Sequence, residues 1–191
     1  KYIVEQCSKD NPSICFIPTA TGDDDGYIKN FYKAFDSLGC NTSHIDFFKR
    51  TINLEKHIFK QDIIFVGGGN TKSMLAVWKE WGLDILLKDA YKSGTIMSGV
   101  SAGAICWFKN GITDSWKDYQ AVLPCLGFVN GNCCPHYDEE PERIPYVKEI
   151  LEKNIIDKCY AIEGFCALHM IDDLPKFIVS FGAGNDSHDV S

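Results

Sequence analysis

The sequence predicts an α/β protein: a three-layer, doubly wound, mostly parallel sheet with helices on both faces and a β-hairpin at the C-terminal end. Three observations carry this prediction. Short continuous apolar runs, at Ser13-Ile-Cys-Phe-Ile-Pro18, Asp62-Ile-Ile-Phe-Val66 and Thr95-Ile-Met-Ser98, read as strands buried on both faces, as a parallel sheet requires. Each strand runs through a small-residue loop into a segment with helical spacing, so β and α alternate. In such a sheet ligands bind at the carboxyl ends of the strands, where these loops lie.

Taken in order, Lys1 to Lys9 reads as the end of a helix and Ser13 to Pro18 as the first strand. The loop Thr19 to Gly26 carries Asp23, Asp24 and Asp25. A metal site is one reading of this trio, but acidic residues favour a helix N-terminus, so a solvated helix start is preferred. From Tyr27 to Leu38 the apolar residues Ile28, Phe31, Tyr32, Phe35 and Leu38 recur at helical spacing, which makes the aromatics core, and Gly39 stops the helix. Asn41 to Phe48 reads as a strand, with His44 structural or exposed, and Leu54 to Phe59 as a short helix. The strand ending at Val66 enters Gly67-Gly-Gly-Asn-Thr71, followed by a helix from Lys72 to Trp81.

Beyond the helix expected after Ser101, Asn110 to Tyr119 is polar and Ala121 to Val129 is apolar with a Pro-Cys-Leu-Gly turn. Asn130 to Tyr137 then brings a histidine to a strand end. An acidic loop from Asp138 to Pro145 precedes a helix from Tyr146 to Lys153, and Cys159 to Gly164 reads as a strand ending in a carboxylate and a glycine. Phe165 to Phe181 alternates as a hairpin turned at Asp172-Asp173, and the run 184–189 reads as loose. No repeat or linker interrupts the chain, so residues 1–191 are expected to form one domain.

Composition excludes several classes. A chain of 191 residues buries about 70% of its unfolded surface, enough to fold without a disulfide or metal staple. Its 19 basic and 26 acidic residues give a net charge of -7 without a Lys/Arg cluster, which argues against nucleic acid as a partner. No apolar run is long enough to cross a bilayer and the N-terminus lacks a signal-peptide core, so a cytoplasmic protein is expected. The nine cysteines are odd in number and lie within apolar segments, as reduced core residues do. Cys133-Cys134 lacks the second ligand pair that zinc needs, so neither metal nor cofactor is expected.

The chemistry centres on Thr95-Ile-Met-Ser-Gly-Val-Ser101-Ala-Gly-Ala-Ile-Cys-Trp107. A strand, a corner of small residues (Gly99, Ala102, Gly103) and a helix would push the hydroxyl of Ser101 out above the sheet as a nucleophile elbow. The plain alternative is a βα turn that merely contains Gly and Ser. The loop after Val66 is not a phosphate loop, because a Walker sequence needs Gly directly before Lys72 and Thr71 stands there. It is expected instead to lend an oxyanion donor from Gly68, Gly69 or Asn70, alongside the amide of Ala102. A serine also needs an imidazole to take its proton and a carboxylate to orient that imidazole. Of the five histidines, His136 stands at a strand end downstream of Ser101 and is the candidate base.

Four segments, Gly67-Gly-Gly-Asn-Thr71, Gly99-Val-Ser-Ala-Gly103, Pro135-His136 and Ala161-Ile-Glu-Gly164, stand in an order that resembles the aspartyl dipeptidase (peptidase E) family of serine peptidases, which also includes cyanophycinases. The resemblance spans almost the whole chain. It implies a fold like that of class I glutamine amidotransferases, with serine in place of their nucleophilic cysteine. It also implies that Ser101 attacks the peptide carbonyl with His136 as general base. Glu163, in the last motif, and Asp114, at the position of an alternative acid in related dipeptidases, are both candidates for the orienting carboxylate. The family cleaves after an N-terminal aspartate, for which Arg143 is the candidate cation, although Arg143 sits among Asp138, Glu139, Glu140 and Glu142 and could simply neutralise them. That acidic loop could instead meet the substrate's α-amino group. Because the family has a further strand before the position of Lys1, the expectation is either that the first strand is lacking or that the sequence starts within a longer protein.

The expected activity is cleavage of short peptides with an acidic N-terminal residue through an acyl-enzyme, with a homodimer compatible with that reading. An α/β-hydrolase-type esterase and a non-catalytic ligand-binding protein are the rivals. The glycine loop just before the elbow and a histidine far from the chain's end count against the esterase.

Overall fold

The computed structural model describes residues 1–181 and 188–189. The chain divides into two compact units, Lys1–Ala104 and Ile105–Ser191.

The first unit opens with α1 (Tyr2–Glu5) and β1 (Ser13–Ile17), then runs through α2 (Asp25–Asp36), β2 (Asn41–His44), α3 (Leu54–Ile58), β3 (Ile63–Val66), α4 (Thr71–Glu80), α5 (Leu83–Lys92) and β4 (Ile96–Gly99) into α6 (Ala102–Ile105). Its four strands pair in the order β2-β1-β3-β4, all parallel. Ile14, Cys15, Phe16 and Ile17 are all fully buried. Since successive side chains on a strand point to opposite faces, both faces of β1 are covered. One face meets α2, where Phe31 stacks on Phe16 at 4.7 Å and Phe35 and Ile28 complete the cluster. The helical spacing read from the sequence is the spacing of this apolar stripe.

The three consecutive aspartates are not uniformly solvated, which corrects the expectation for that loop. Asp24 caps α2 by accepting from the Tyr27 N–H and Asp25 pairs with Lys49. Asp23, however, is buried and accepts from the backbone N–H groups of Phe47 and Phe48. This inward turn ties the chain after β2 to the start of α2. The strand expected to reach Phe48 accordingly ends at His44. α5 fills residues 83–92, a stretch for which the sequence suggested no element.

The second unit is built on β5 (Phe108–Trp116), β6 (Tyr119–Pro124), β7 (Val129–Cys134) and β8 (Tyr160–Ala161), in the order β6-β5-β7-β8. β6 runs antiparallel to β5, whereas β7 and β8 are parallel. The polar segment after α6, left without an element on sequence alone, is thus a strand, and α6 itself is a single turn. α7 (Arg143–Glu152) packs Val147 and Ile150 against Ile112 and Cys134. β9 (Cys166–Ile171) and β10 (Leu174–Ser180) form the expected hairpin, its turn made by Asp172 and Asp173 with φ of 50° and 64°. Positive φ at both central residues is what a type I′ hairpin turn demands, and aspartate tolerates it. β11 (His188–Asp189) pairs with β10; the rest of the run expected to be loose lies outside the described residues.

The α/β class, the mostly parallel pairing and the C-terminal hairpin agree with the sequence reading. All nine cysteines are free thiols. Burial pushes Cys15 up to about 12 and Cys106 and Cys133 well above the ordinary thiol value, so these sulfurs behave as core atoms. No helix among the described residues is long and apolar enough to cross a membrane.

His57 of α3 ties to β2 through its Nε2, 3.1 Å from the Ser43 hydroxyl. Burial lowers its pKa from the ordinary 6.5, with the charge of Lys60 a second cause, and burial also lowers that of His169. The unfolded chain therefore binds protons at these sites that the folded chain refuses. This contribution to stability is present above about pH 6.5 and is lost as the pH falls through the lower folded values. The urea midpoint is accordingly expected to drop as the pH falls below about 6.5, and the His57→Gln/His169→Gln double variant to show a flatter profile there. Equal slopes for the two proteins would contradict this account.

Candidate active site

In the first unit the site is set by how closely three backbone segments approach one another at the carboxyl ends of β3 and β4. Ser101 occupies the turn between β4 and α6 with φ of 55°, a conformation that non-glycine residues adopt at a cost and that tight functional turns retain. The turn folds back so far that a Cβ at Gly99 would lie 2.3 Å from the Gly103 carbonyl oxygen, and one at Gly103 would lie 2.1 Å from that of Val66. No other residue fits at either position without moving the strand.

The glycine loop after β3 reaches the same corner. A Cβ built on Gly68 would stand 3.2 Å from the Ser101 Cβ and 3.8 Å from its hydroxyl oxygen. Two of the amides nominated as oxyanion donors have partners: the Asn70 N–H donates to the Ala20 carbonyl at 2.8 Å, and the Gly68 N–H to the Tyr27 hydroxyl at 3.2 Å. The Asn70 side chain meanwhile caps α4 by accepting from the Ser73 N–H. Asn70 is therefore a structural residue of the loop, which corrects its expected role. Helix capping was the signal that could have shown this. Tyr27, which the sequence marked only as the start of a helical run, is half-buried and places its hydroxyl on the loop; helical periodicity carries no information about where a phenol's polar end goes.

In the second unit, β7 ends at Cys134, and Pro135 leads into His136, which has φ of 52°. The N–H groups of Glu139 and Glu140 both donate to the His136 carbonyl, and this turn brings the Glu139 carboxylate to 2.6 Å from the His136 Nδ1. Neither carboxylate nominated from the sequence takes that place. Asp114 lies 3.4 Å from the Arg143 guanidinium, and Glu163 is exposed. What the Ala161-Ile-Glu-Gly164 segment contributes is its backbone. Ile162 exchanges hydrogen bonds with Cys134 and Tyr137, and the Gly164 N–H donates to Asp138 at 2.7 Å.

Arg143 is 2% exposed at its side chain. Its Nε donates to Glu140 at 2.7 Å, one terminal nitrogen donates to the Ile112 carbonyl at 3.1 Å, and the other faces Asp114. Burial works against the guanidinium's charge, but the contacts with Glu140 and Cys134 together outweigh it and the pKa is raised. A guanidinium so enclosed has no open edge for a substrate carboxylate, which corrects the substrate-binding role expected of it. Among the described residues no group of three His, Cys, Asp or Glu side chains is arranged to hold a metal ion.

The model of peptidase family S51 matches residues 1–178. The uncharacterized peptidase YgaJ of Bacillus subtilis is 43% identical over 191 residues, covering all of this chain and 83% of that protein. The uncharacterized peptidase Lmo0363 of Listeria monocytogenes is 30% identical over 154 residues, 76% of this chain and 73% of that protein. Among solved structures, a candidate peptidase E protein from Listeria monocytogenes superposes with a TM-score of 0.64 at 24% identity, covering 100% of this chain and 92% of that one. A peptidase from an acI-B1 actinobacterium gives 0.66 at 16% identity, with 98% and 86% covered. These two share the fold.

The partners of Arg143 lead to a specific expectation. Arg143→Met should lower stability in urea by about 1–3 kcal/mol, the cost of leaving a buried acceptor and two carboxylates without their donor, and should leave the preference among peptides unchanged. A variant of normal stability with a selective loss on acidic peptides would restore the substrate role.

Proposed function

We propose, from the premise that this chain belongs to peptidase family S51 and so is a peptidase, that it is a serine peptidase using Ser101 as nucleophile and His136 as general base. The observation that carries the proposal is the corner at Ser101: a hydroxyl held at positive φ between a strand and a helix start, on glycines that admit no side chain. Strain of this kind persists where surrounding structure enforces it, and a nucleophile elbow is one such setting.

In this reading the Ser101 hydroxyl attacks the peptide carbonyl as its proton passes to the His136 Nε2. The developing oxyanion takes hydrogen bonds from the Gly69 amide and from the Ala102 amide, which opens α6 and so lacks an intrahelical acceptor. The Gly68 amide joins them by exchanging the Tyr27 oxygen for the substrate's. Imidazolium then protonates the leaving amine, and water activated by the neutral imidazole releases the acyl group. Short peptides with an N-terminal aspartate are the proposed substrates, on the strength of the order of the four motifs. With Arg143 enclosed, that preference requires a different cation.

Ser101→Ala is expected to reduce kcat/KM by on the order of 10⁴ to 10⁶ on a peptide that the parent protein cleaves, and Asp-Leu is the first substrate to try. Activity retained within about tenfold would remove Ser101 from the chemistry. Faster turnover of p-nitrophenyl esters than of any Asp-X dipeptide would favour the esterase alternative.

A further inference from the structure

We infer that Glu139 is the positioning residue for the His136 imidazole, and that Gly164 fixes where the Glu139 carboxylate lies. The inference rests on His136 being the general base, but its observations are internal to the second unit. The Glu139 Oε2 stands 2.6 Å from the His136 Nδ1, within hydrogen-bond reach. The turn that makes this contact is closed by two amides on one carbonyl, from Glu139 and Glu140 to His136. On the far side of the carboxylate lies Gly164, where a Cβ would sit 2.7 Å from both the Cδ and the Oε1 of Glu139 and 3.0 Å from its Cγ. The carboxylate thus fills the space a side chain at residue 164 would need. Residue 164 is held in turn, because its N–H donates to the Asp138 carboxylate at 2.7 Å, and the Tyr137 N–H donates to the Ile162 carbonyl at 3.0 Å.

A carboxylate on Nδ1 selects the tautomer in which Nδ1 carries the proton and Nε2 offers its lone pair. When the Ser101 hydroxyl attacks, its proton moves to Nε2 and the ring becomes an imidazolium. Glu139 stays ionised and stabilises that charge. The proton leaves again from Nε2 to the departing amine, so Glu139 neither gains nor loses one. Glu139 acts through His136 alone. The motif Ala161-Ile-Glu-Gly164 then enters through its glycine, while the exposed Glu163 beside it takes no part.

The test compares Glu139→Gln, Glu163→Gln, Gly164→Ala, Glu139→Ala and the Glu139→Ala/Gly164→Ala double variant in the full chain. Readouts are kcat and KM on a cleaved short peptide and the downfield imidazole N–H resonance in proton NMR, which needs no substrate. Glu139→Gln should lower kcat by roughly 10² to 10⁴ with KM within about threefold, the pattern of a lost orienting charge rather than lost binding. It should also abolish the N–H resonance, whereas Glu163→Gln should preserve both. Gly164→Ala should lower kcat in the parent background and have no further effect beside Glu139→Ala, where nothing remains to collide with. Such non-additivity identifies an effect relayed through Glu139. Loss of activity and resonance in Glu163→Gln with both retained in Glu139→Gln would overturn the inference. If Ser101→Ala and His136→Ala abolish activity while Glu139→Gln does not, this inference fails and the peptidase reading stands. If Ser101→Ala stays active the peptidase reading fails, and the resonance alone decides the Glu139 contact.

Discussion

The closest backbone approach at the site is the one between the turn after β4 and the end of β3. With the Gly103 Cα facing the Val66 carbonyl and Gly99 facing the Gly103 carbonyl, there is no depth for a side chain at either point. The turn must therefore be sharp, and the residue at its apex is driven into a left-handed conformation. Ser101 stands where it does because of this crowding. Overpacking a site of this kind forces the backbone to move, so the geometry around the hydroxyl and the stability of the parallel sheet depend on the same atoms. The glycine loop that approaches Ser101 from the neighbouring strand depends on it too.

Two acidic runs show how packing separates residues that composition treats alike. Asp23, Asp24 and Asp25 have three different partners: backbone amides at residues 47 and 48, the first turn of α2, and the ammonium of Lys49. Asp138, Glu139 and Glu140 divide in the same way among the Gly164 amide, the His136 ring and the Arg143 guanidinium. Each set looks like a patch of negative charge when written as letters. In the folded chain each carboxylate is used locally, and the character of each partner follows from burial: Arg143 is enclosed, His136 is partly open, and Lys49 is in solvent.

The second unit handles histidine and arginine in opposite ways within eight residues of chain. Arg143 starts α7 with its charge satisfied on every side by Glu140, Asp114 and a carbonyl. That arrangement locks β5 to α7 and withdraws the cation from solvent. Among the described residues, Glu139 is the carboxylate bonded to the His136 ring, at its Nδ1. A guanidinium held on all sides can only hold the fold together.

What the sequence determined by itself was a part of what depends on local backbone chemistry, α5 and β5 being left unread. Apolar runs marked β1, β3 and β4, helical spacing marked the buried stripe of α2, paired aspartates marked the hairpin turn, and small residues around Ser101 marked a corner no larger side chain could make. These signals are local because steric limits on φ and on Cβ placement act over a few residues. The tertiary structure decided the partners of charged and polar groups. It chose Glu139 over Glu163 and Asp114 for the imidazole, enclosed Arg143, turned the Asn70 amide to Ala20 and sent the Tyr27 hydroxyl to the glycine loop. A carboxylate is equally plausible beside any cation until distances and burial are known, since the energy of a charged contact is set by separation and desolvation rather than by the order of residues along the chain.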